Sequence, residues 1–393
     1  MRRVVVTGLG VVSPFGAGVK AYWAGLAAGA CAIRPLSLFD ATGFRCSLAG
    51  EVPEAIAGSS RRTRADRLAL AAAREALDDT GLEAPGRREA ALVVGAVGGG
   101  MFEAEAWYWA RARGERVRGG VAALRTMLPG SHAAALGHRL RLDGPRHTVV
   151  TACSSGAVAV AEAAELVADG VVDVAIGGGV DALTRMCFMG FNALKLLDPA
   201  PCRPFDRDRR GMSIGEGAAF VVLEAAAHAR ARGARVYAEL AGHGETTDAF
   251  HVTSPQPDGD GMTRAMRGAL AAAGVSPSDV GYVNAHGTAT PQNDRIEAQS
   301  IARVFGDGVL VSSTKSMIGH TMAASGSLEA VATVLALVHD LLPPTASLVT
   351  RDPDVPFDCV PGVAREAAVE HAISNSFGFG GQNVTLLFRR ASG

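Results

Sequence analysis

Aromatic residues make up only 5% of this 393-residue chain, and its six cysteines form no Cys-x-x-Cys pair. Cys31, Cys46, Cys153, Cys187, Cys202 and Cys359 follow no even spacing, so no disulfide framework is expected and a reducing, cytoplasmic setting is the default. Cysteine and histidine are not spaced as a zinc site, and His-Glu-x-x-His is absent, so no metal is expected from motif spacing. Charge of one sign is missing too. The formal net charge is −1, without the basic excess that nucleic acid needs or the polybasic tail that an anionic membrane attracts. No apolar run reads as long and unbroken enough to span a bilayer. The opening Val4-Val5-Val6-Thr7-Gly8-Leu9-Gly10 is broken by Thr7 and Gly8 and met by Pro14, which suits a buried first strand better than a signal peptide. Gly8-x-Gly10-x-x-Ser13 imitates a dinucleotide fingerprint, but Pro14 interrupts the helix that motif requires, and no Walker A sequence occurs.

What is present is an alternation. Short apolar runs at 4–7, 91–95, 172–177, 218–223, 280–284, 309–313 and 384–388 read as strands. Ala-rich helical patterns occupy 67–79, 154–168, 261–273, 295–305 and 321–339. This predicts an α/β protein with buried, partly parallel sheets. A faint duplication runs through it. Residues 75–82 resemble 268–275, each followed by a strand and a Gly-containing loop, and the Val149–Cys153 junction resembles the one from Val311 through Lys315 to His320. The expected division is 1–235 and 236–393, with 225–235 as the joint.

Cys153 lies in Thr151-Ala152-Cys153-Ser154-Ser155-Gly156, between a β-branched run and an Ala-rich helix. A thiol at a helix start meets free N–H groups and the positive end of the dipole, which favour thiolate. A lone cysteine is more often a small buried hydrophobe, and that reading is kept for the other five. His286, in Asn284-Ala285-His286-Gly287-Thr288-Ala289-Thr290, and His320, in Lys315-Ser316-Met317-Ile318-Gly319-His320, follow strands and sit among glycines and hydroxyls. That placement suits hydrogen-bond donation to a developing oxyanion or enolate, although a solitary histidine is more often structural. Lys315 and Glu329 form either a buried orienting pair or an ordinary surface pair. Asn375-Ser376-Phe377-Gly378-Phe379-Gly380-Gly381-Gln382-Asn383 reads as a glycine-hinged loop able to supply an oxyanion-hole N–H and a movable ring, or as a plain turn between two late strands.

At Cys153, His286, Lys315, His320 and the Gly378-Phe379-Gly380-Gly381 loop together, the sequence resembles the β-ketoacyl-acyl carrier protein synthases, above all the elongating type II enzymes and related polyketide ketosynthases. Arg203-Pro204-Phe205-Asp206 and Gly215-Glu216-Gly217 fit the same family, and the likeness runs from the first strand to the last. It implies a thiolase-like fold, with two pseudo-equivalent halves in a five-layered αβαβα core, usually dimeric. It implies a decarboxylative Claisen condensation. An acyl group held as a thioester on Cys153 joins malonyl-acyl carrier protein to give 3-oxoacyl-acyl carrier protein and carbon dioxide, in fatty-acid or polyketide/polyene biosynthesis. His286 and His320 would stabilise the enolate, Lys315 would organise the charge with support from Glu329, and the N–H groups of Cys153 and Phe379 would hold the oxyanion.

The resemblance extends to binding. The enzyme itself needs no cofactor, and the phosphopantetheine arm of acyl carrier protein delivers substrate past Thr288 and Thr290. Phe191, Phe377 and Phe379 match acyl-pocket or gate positions. Arg64 and Lys195 match basic positions that dock the carrier, with Arg61, Arg62 and Arg67 thickening the patch. A family cation site would be lined by Asn284, Glu329, Ser374 and Asn375. Gly98 stands where many relatives carry a larger apolar pocket residue, and the missing side chain would enlarge the acyl tunnel. Residues 103–129, with Trp107, Tyr108 and Trp109, match poorly, and Gln292-Asn293-Asp294-Arg295 resembles polyketide ketosynthases. The expected partners are acyl carrier protein and a second ketosynthase-like chain, as a homodimer or with a chain-length factor, and neither nucleic acid nor membrane. The alternatives are a non-catalytic chain-length-factor-like subunit, against which Cys153 and both histidines stand, and a thiolase or acyltransferase on the same fold. A thiolase would want a second catalytic cysteine, and Cys359 lacks a suitable Gly-rich setting.

Overall fold

The β-branched run at the N-terminus forms strand β1 (Val4–Ser13), buried along all ten residues. In this computed structural model, which describes residues 1–53, 56, 62–116 and 124–391, β1 lies near the middle of an 11-stranded sheet. Outward on one side follow β5 (Gly217–Ala225), β4 (Val174–Asp181), β2 (Ala91–Gly95) and β3 (Arg146–Val149). On the other side lie β6 (Ala238–Thr247), β10 (Gln382–Arg390), β9 (His371–Gly378), β7 (Val280–Asn284) and β8 (Leu310–Ser312). Both sides repeat one pattern. The inner pairs β1–β5, β5–β4, β6–β10 and β10–β9 are antiparallel, and the outer pairs β4–β2, β2–β3, β9–β7 and β7–β8 are parallel. The antiparallel contact of β1 with β6 joins the halves.

The duplicated sequence segments occupy equivalent places. Helix α1 (Arg64–Asp79) precedes β2 as α6 (Asp260–Ala273) precedes β7. Helix α4 (Ser155–Ala168) follows β3 as α8 (Ser325–His339) follows β8. Helices α4 and α8 pack on each other and each touches strands of both halves, whereas α1 covers β1 and β5 and α6 covers β6 and β10 from outside. This is the expected five-layered arrangement. The remaining helices used below are α2 (Met101–Ala112), α3 (Gly130–Leu140), α5 (Arg185–Ala193) and α7 (Pro291–Phe305).

Three expectations need correction. The stretch Met322–His339 is long and apolar enough to cross a membrane, but 89% of it is buried inside the protein, so it is a core helix. The expected loop at 375–383 is a strand as far as Gly378. Its turn is confined to Phe379–Gly381, and β10 starts at Gln382. Strands β6 and β9 were not legible because buried small and polar residues (Gly242, Gly244, Ser374, Asn375, Ser376) replace the apolar alternation that marks a strand. The false dinucleotide motif has a packing origin. Gly10 lies so close to α1 that a Cβ there would come within 1.9 Å of the Ala72 carbonyl oxygen.

Candidate active site

Cys153 sits in a short 3-10 turn, Ala152–Ser154, at the start of α4. Ala152 is held at φ 51°, a left-handed conformation that costs a non-glycine residue about 1–2 kcal/mol and turns the next side chain off the helix axis. The end of β9 lies over this turn. The Phe379 N–H is turned to favour the sulfur's anion, and a Cβ on Gly378 would stand 3.2 Å from the Cys153 nitrogen. The expectation of a ready thiolate is not met. Burial pushes the Cys153 thiol up to about 11, outweighing the Phe379 N–H and the Lys315 charge. Desolvation beats the helix start here.

Both histidines converge on the same cavity. His286 and His320 lie with ring centroids 5.5 Å apart and planes at 89°, and both rings are buried. The Met322 N–H donates to His320 Nδ1 at 3.1 Å, and the Ser325 hydroxyl lies 2.8 Å from the same atom. A backbone N–H can only donate, so Nδ1 is an acceptor and the proton sits on Nε2. That Nε2 is buried without a hydrogen-bond partner. Lys315 Nζ lies 3.4 Å from His286 Nδ1, which assigns His286 the same tautomer. Burial, then the Lys315 charge, holds both imidazoles well below their ordinary range, so they are neutral donors. Two N–H groups aimed into a cavity beside a cysteine can stabilise negative charge on a substrate oxygen.

The shell that holds these groups is charged and dry. Lys315 pairs with Glu329 inside the core, so of the two readings the buried pair is the one found; burial raises the Glu329 carboxyl to about 7. Residues that sequence reasoning missed fix the His286 loop. Glu297 accepts from the N–H groups of His286 (2.7 Å) and Gly287 (2.8 Å), and Asp294 accepts from those of Ala289 and Phe205. Both acids lie on the buried face of α7; Asp294 stands in the Gln292-Asn293-Asp294-Arg295 run without a role there, and Glu297 has as its signal only a second carboxylate three residues on, along a helix that buries Ile296, Ala298 and Ile301. Of the four candidate cation ligands, Asn284 Oδ1, Glu329 Oε2 and Ser374 Oγ are buried oxygens without a hydrogen-bond partner, the donor type a hard cation takes. Asn375 is already engaged, its Oδ1 accepting from Thr385 Oγ1 at 2.8 Å.

A cavity of about 280 Å³ is lined by Cys153, His286, His320, Thr288, Thr290, Phe191, Phe377 and Phe379, together with Leu196, Met212 and Met262. The Thr288 and Thr290 hydroxyls are 2.9 Å apart. The Phe191 and Phe379 ring centroids lie 6.0 Å apart with planes tilted by 47°. Gly98 does not line this cavity; its N–H donates to Asp181 at 2.7 Å. Lys195 is exposed beside the cavity residue Leu196. Arg64 is not available for docking, because its side chain is 1% exposed and its Nε and Nη2 grip Glu216 at 2.8 and 2.5 Å. That guanidinium is a buried structural cation. Arg62 and Arg67 are half-buried, and Arg61 lies outside the described residues.

The comparisons with known proteins agree with this geometry. The model of the beta-ketoacyl synthase N-terminal domain matches residues 1–229, and that of the C-terminal domain matches residues 237–349. The chain is 39% identical over 408 residues to the 3-oxoacyl-[acyl-carrier-protein] synthase 2 of Synechocystis sp., covering 99% of this chain and 98% of that protein. Among solved structures, the ishigamide ketosynthase/chain length factor superposes with a TM-score of 0.94 at 38% identity, covering all of both chains. A type II polyketide ketosynthase in complex with its acyl-carrier protein and bound to a hexaketide matches with a TM-score of 0.92 at 30% identity, again over both whole chains. Two domain models spanning most of the chain, a full-length relative and a shared thiolase-like architecture place this protein in the β-ketoacyl synthase family.

Proposed function

We propose that this chain performs the elongating condensation of its family with Cys153 as acyl acceptor and His286 and His320 as enolate-stabilising donors. The observation that carries the assignment is one cavity holding the thiol and both imidazoles, with the His320 Nε2–H buried and unpartnered. In the first half-reaction the Cys153 sulfur attacks the thioester carbonyl of an acyl carrier protein. The new C–S bond forms, the phosphopantetheine C–S bond breaks, and the thiol proton passes to the departing sulfur. In the second, malonyl-acyl carrier protein loses carbon dioxide, and the electron pair of the broken C–C bond becomes an enolate. Its oxygen receives hydrogen bonds from the two imidazoles, which need not transfer a proton. The enolate carbon then attacks the Cys153 thioester, the N–H groups of Cys153 and Phe379 hold the oxyanion, and the cysteine sulfur leaves.

The surrounding shell serves these steps. Burial and the Lys315 charge keep both rings unprotonated, and Thr288 and Thr290 offer hydroxyls to the phosphopantetheine arm. A cation would be held by Asn284, Glu329 and Ser374, where it would satisfy their unpaired oxygens and stiffen the Lys315 pair. Carrier docking falls to Lys195, which is exposed beside the cavity residue Leu196. The chain pairs with a second ketosynthase-fold chain through β3, an edge of the sheet among the described residues, where Arg146 and the residue that follows the strand, Val150, are exposed. A cytoplasmic location fits the six unpaired thiols. A tunnel-shaping subunit without chemistry is the weaker reading, because it would not require this thiol between two donor imidazoles. Intact-mass analysis after incubation with a panel of acyl-acyl carrier proteins tests the assignment. The wild type should gain the acyl mass and Cys153→Ala should not, whereas acylation persisting in Cys153→Ala removes the nucleophile from its role.

A further inference from the structure

Asp181 ends β4 with 0% exposure, and no step of the condensation uses it. Its Oδ1 accepts from the N–H groups of Gly98 (2.7 Å) and Val97 (3.3 Å), and its Oδ2 accepts from the N–H of Ala323 (2.9 Å). Ala323 belongs to the 3-10 turn Met322–Ala324 that leads from His320 into α8. The opposite side of that residue is also gripped. Its carbonyl oxygen lies so close to the glycines of α4 and β4 that a Cβ on either Gly156 or Gly179 would come within 2.5 Å of it. The residue before it, Met322, is held at φ 52°, a conformation that persists only where the surroundings enforce it. Its N–H, aimed by that conformation, is the donor that keeps His320 Nδ1 unprotonated.

A chain of cause therefore runs from the carboxylate, through the Ala323 and Met322 peptides, to the proton on His320. We propose that Asp181 is a positioning residue that fixes the tautomer of His320 by clamping the Met322–Ala324 turn, and so serves decarboxylation of the malonyl unit but not acylation of Cys153. The asymmetry follows from the contacts. The thiol is oriented by the Ala152–Ser154 turn and the Phe379 N–H, neither of which hydrogen-bonds Asp181; the Asp181 charge reaches the thiol only as a minor influence that raises it, so losing that charge should not slow acylation. Burial raises the Asp181 carboxyl to about 6, and the three N–H donors oppose that rise, so above this range it is an anion with its acceptor sites directed at named peptides. A carboxylate that merely satisfied a strand end would affect stability alone. It would leave the two half-reactions coupled and the His320 proton in place.

The inference rests on the condensation chemistry proposed above, and the test separates the two. In wild-type protein with ¹⁵N-labelled histidine, NMR should show His320 protonated on Nε2 and bare at Nδ1; the reverse tautomer overturns the proposal. Asp181→Asn is nearly isosteric but turns an N–H₂ group on one of its former donors. It should lower kcat for malonyl-acyl carrier protein decarboxylation by about 10- to 100-fold, the scale of a misdirected or lost oxyanion donor. KM should stay within about twofold, since ground-state binding is untouched. The rate of Cys153 acylation, read by intact mass, should not fall, since losing the Asp181 charge eases ionisation of the thiol, and the His320 signals should report mixed tautomers. Unchanged decarboxylation, or an equal loss in both half-reactions, overturns the role. Should Asp181→Asn not fold, Asp181→Glu keeps the charge and displaces the clamp by one methylene, and the same one-sided loss is expected there; an unchanged ratio of the two rates overturns it. Wild-type protein inactive in both half-reactions would instead fault the underlying chemistry.

Discussion

At the scale of single residues, Cys153 shows what a sequence can and cannot say about reactivity. Its strand-to-helix junction, like those of His286 and His320, is legible because small residues and glycines surround a chemically distinctive side chain. The balance that sets its thiol is not legible, since it depends on burial, on the Phe379 N–H arriving from a distant strand, and on Lys315. The same gap hid Asp181, Asp294 and Glu297, each a buried acid whose partners are peptide N–H groups that carry no sequence mark. It also misplaced Arg64, a cation that reads as surface until Glu216 is seen beside it. With the thiol held up at about 11, the free protein carries little thiolate near neutrality. Alkylation of Cys153 by iodoacetamide should therefore speed up about tenfold per pH unit between pH 7 and 9 without levelling, because the thiolate fraction rises in that proportion below the pKa. Mass-spectrometric rates that plateau near neutral pH would show a thiolate already formed in the resting protein.

At the scale of elements, the strands and helices with strong periodicity were legible to within a few residues, and those built from small polar residues were not. Strand β1 illustrates the first kind, and its glycines show a constraint that pattern alone misreads. Helix α1 rests directly on β1, with the Ala72 and Ala76 carbonyl oxygens against Gly10 and Gly8. A Cβ at Gly10 would stand 1.9 Å from the Ala72 oxygen and 2.5 Å from the Ala76 nitrogen, and both are backbone atoms that no rotamer change can move. Gly10→Ala should therefore destabilise the protein by about 3 kcal/mol, at the upper end of overpacking costs, with little change in the denaturant slope. Urea unfolding followed by circular dichroism measures it, and a loss under about 0.5 kcal/mol, the scale of an ordinary surface change, would mean that α1 rides more loosely on the sheet.

At the scale of the whole molecule, the two halves are unequal in their edges. The edge at β8 is partly covered, since Leu310 bridges to Asp358, while β3 ends the sheet on the other side. The carbonyls of Pro145 and Val149 accept from the N–H groups of Leu92 in β2 and of Ala96 just after it, so the alternate residue Thr148 turns its N–H outward, available to another strand. If β3 is the pairing edge, Thr148→Pro should remove an outward donor without disturbing the β2 ladder. Sedimentation velocity should then show weaker association of the chain with itself or with a co-expressed ketosynthase-fold partner. Association unchanged by Thr148→Pro would move the contact to another face.

The repeated turn before α4 and α8 has a consequence for how the molecule divides labour. Ala152 at φ 51° presents Cys153, and Met322 at φ 52° presents Ala323 in the matching place. The fold thus contains two seats of one shape and occupies only one with a reactive side chain. The vacant seat has become a hinge pin, its peptide tied to Asp181 on one side and pressed between two glycines on the other. On the proposed assignment, a duplicated architecture runs as a one-stroke machine, in which one half grasps the growing chain and its twin holds the tool that prepares the next unit.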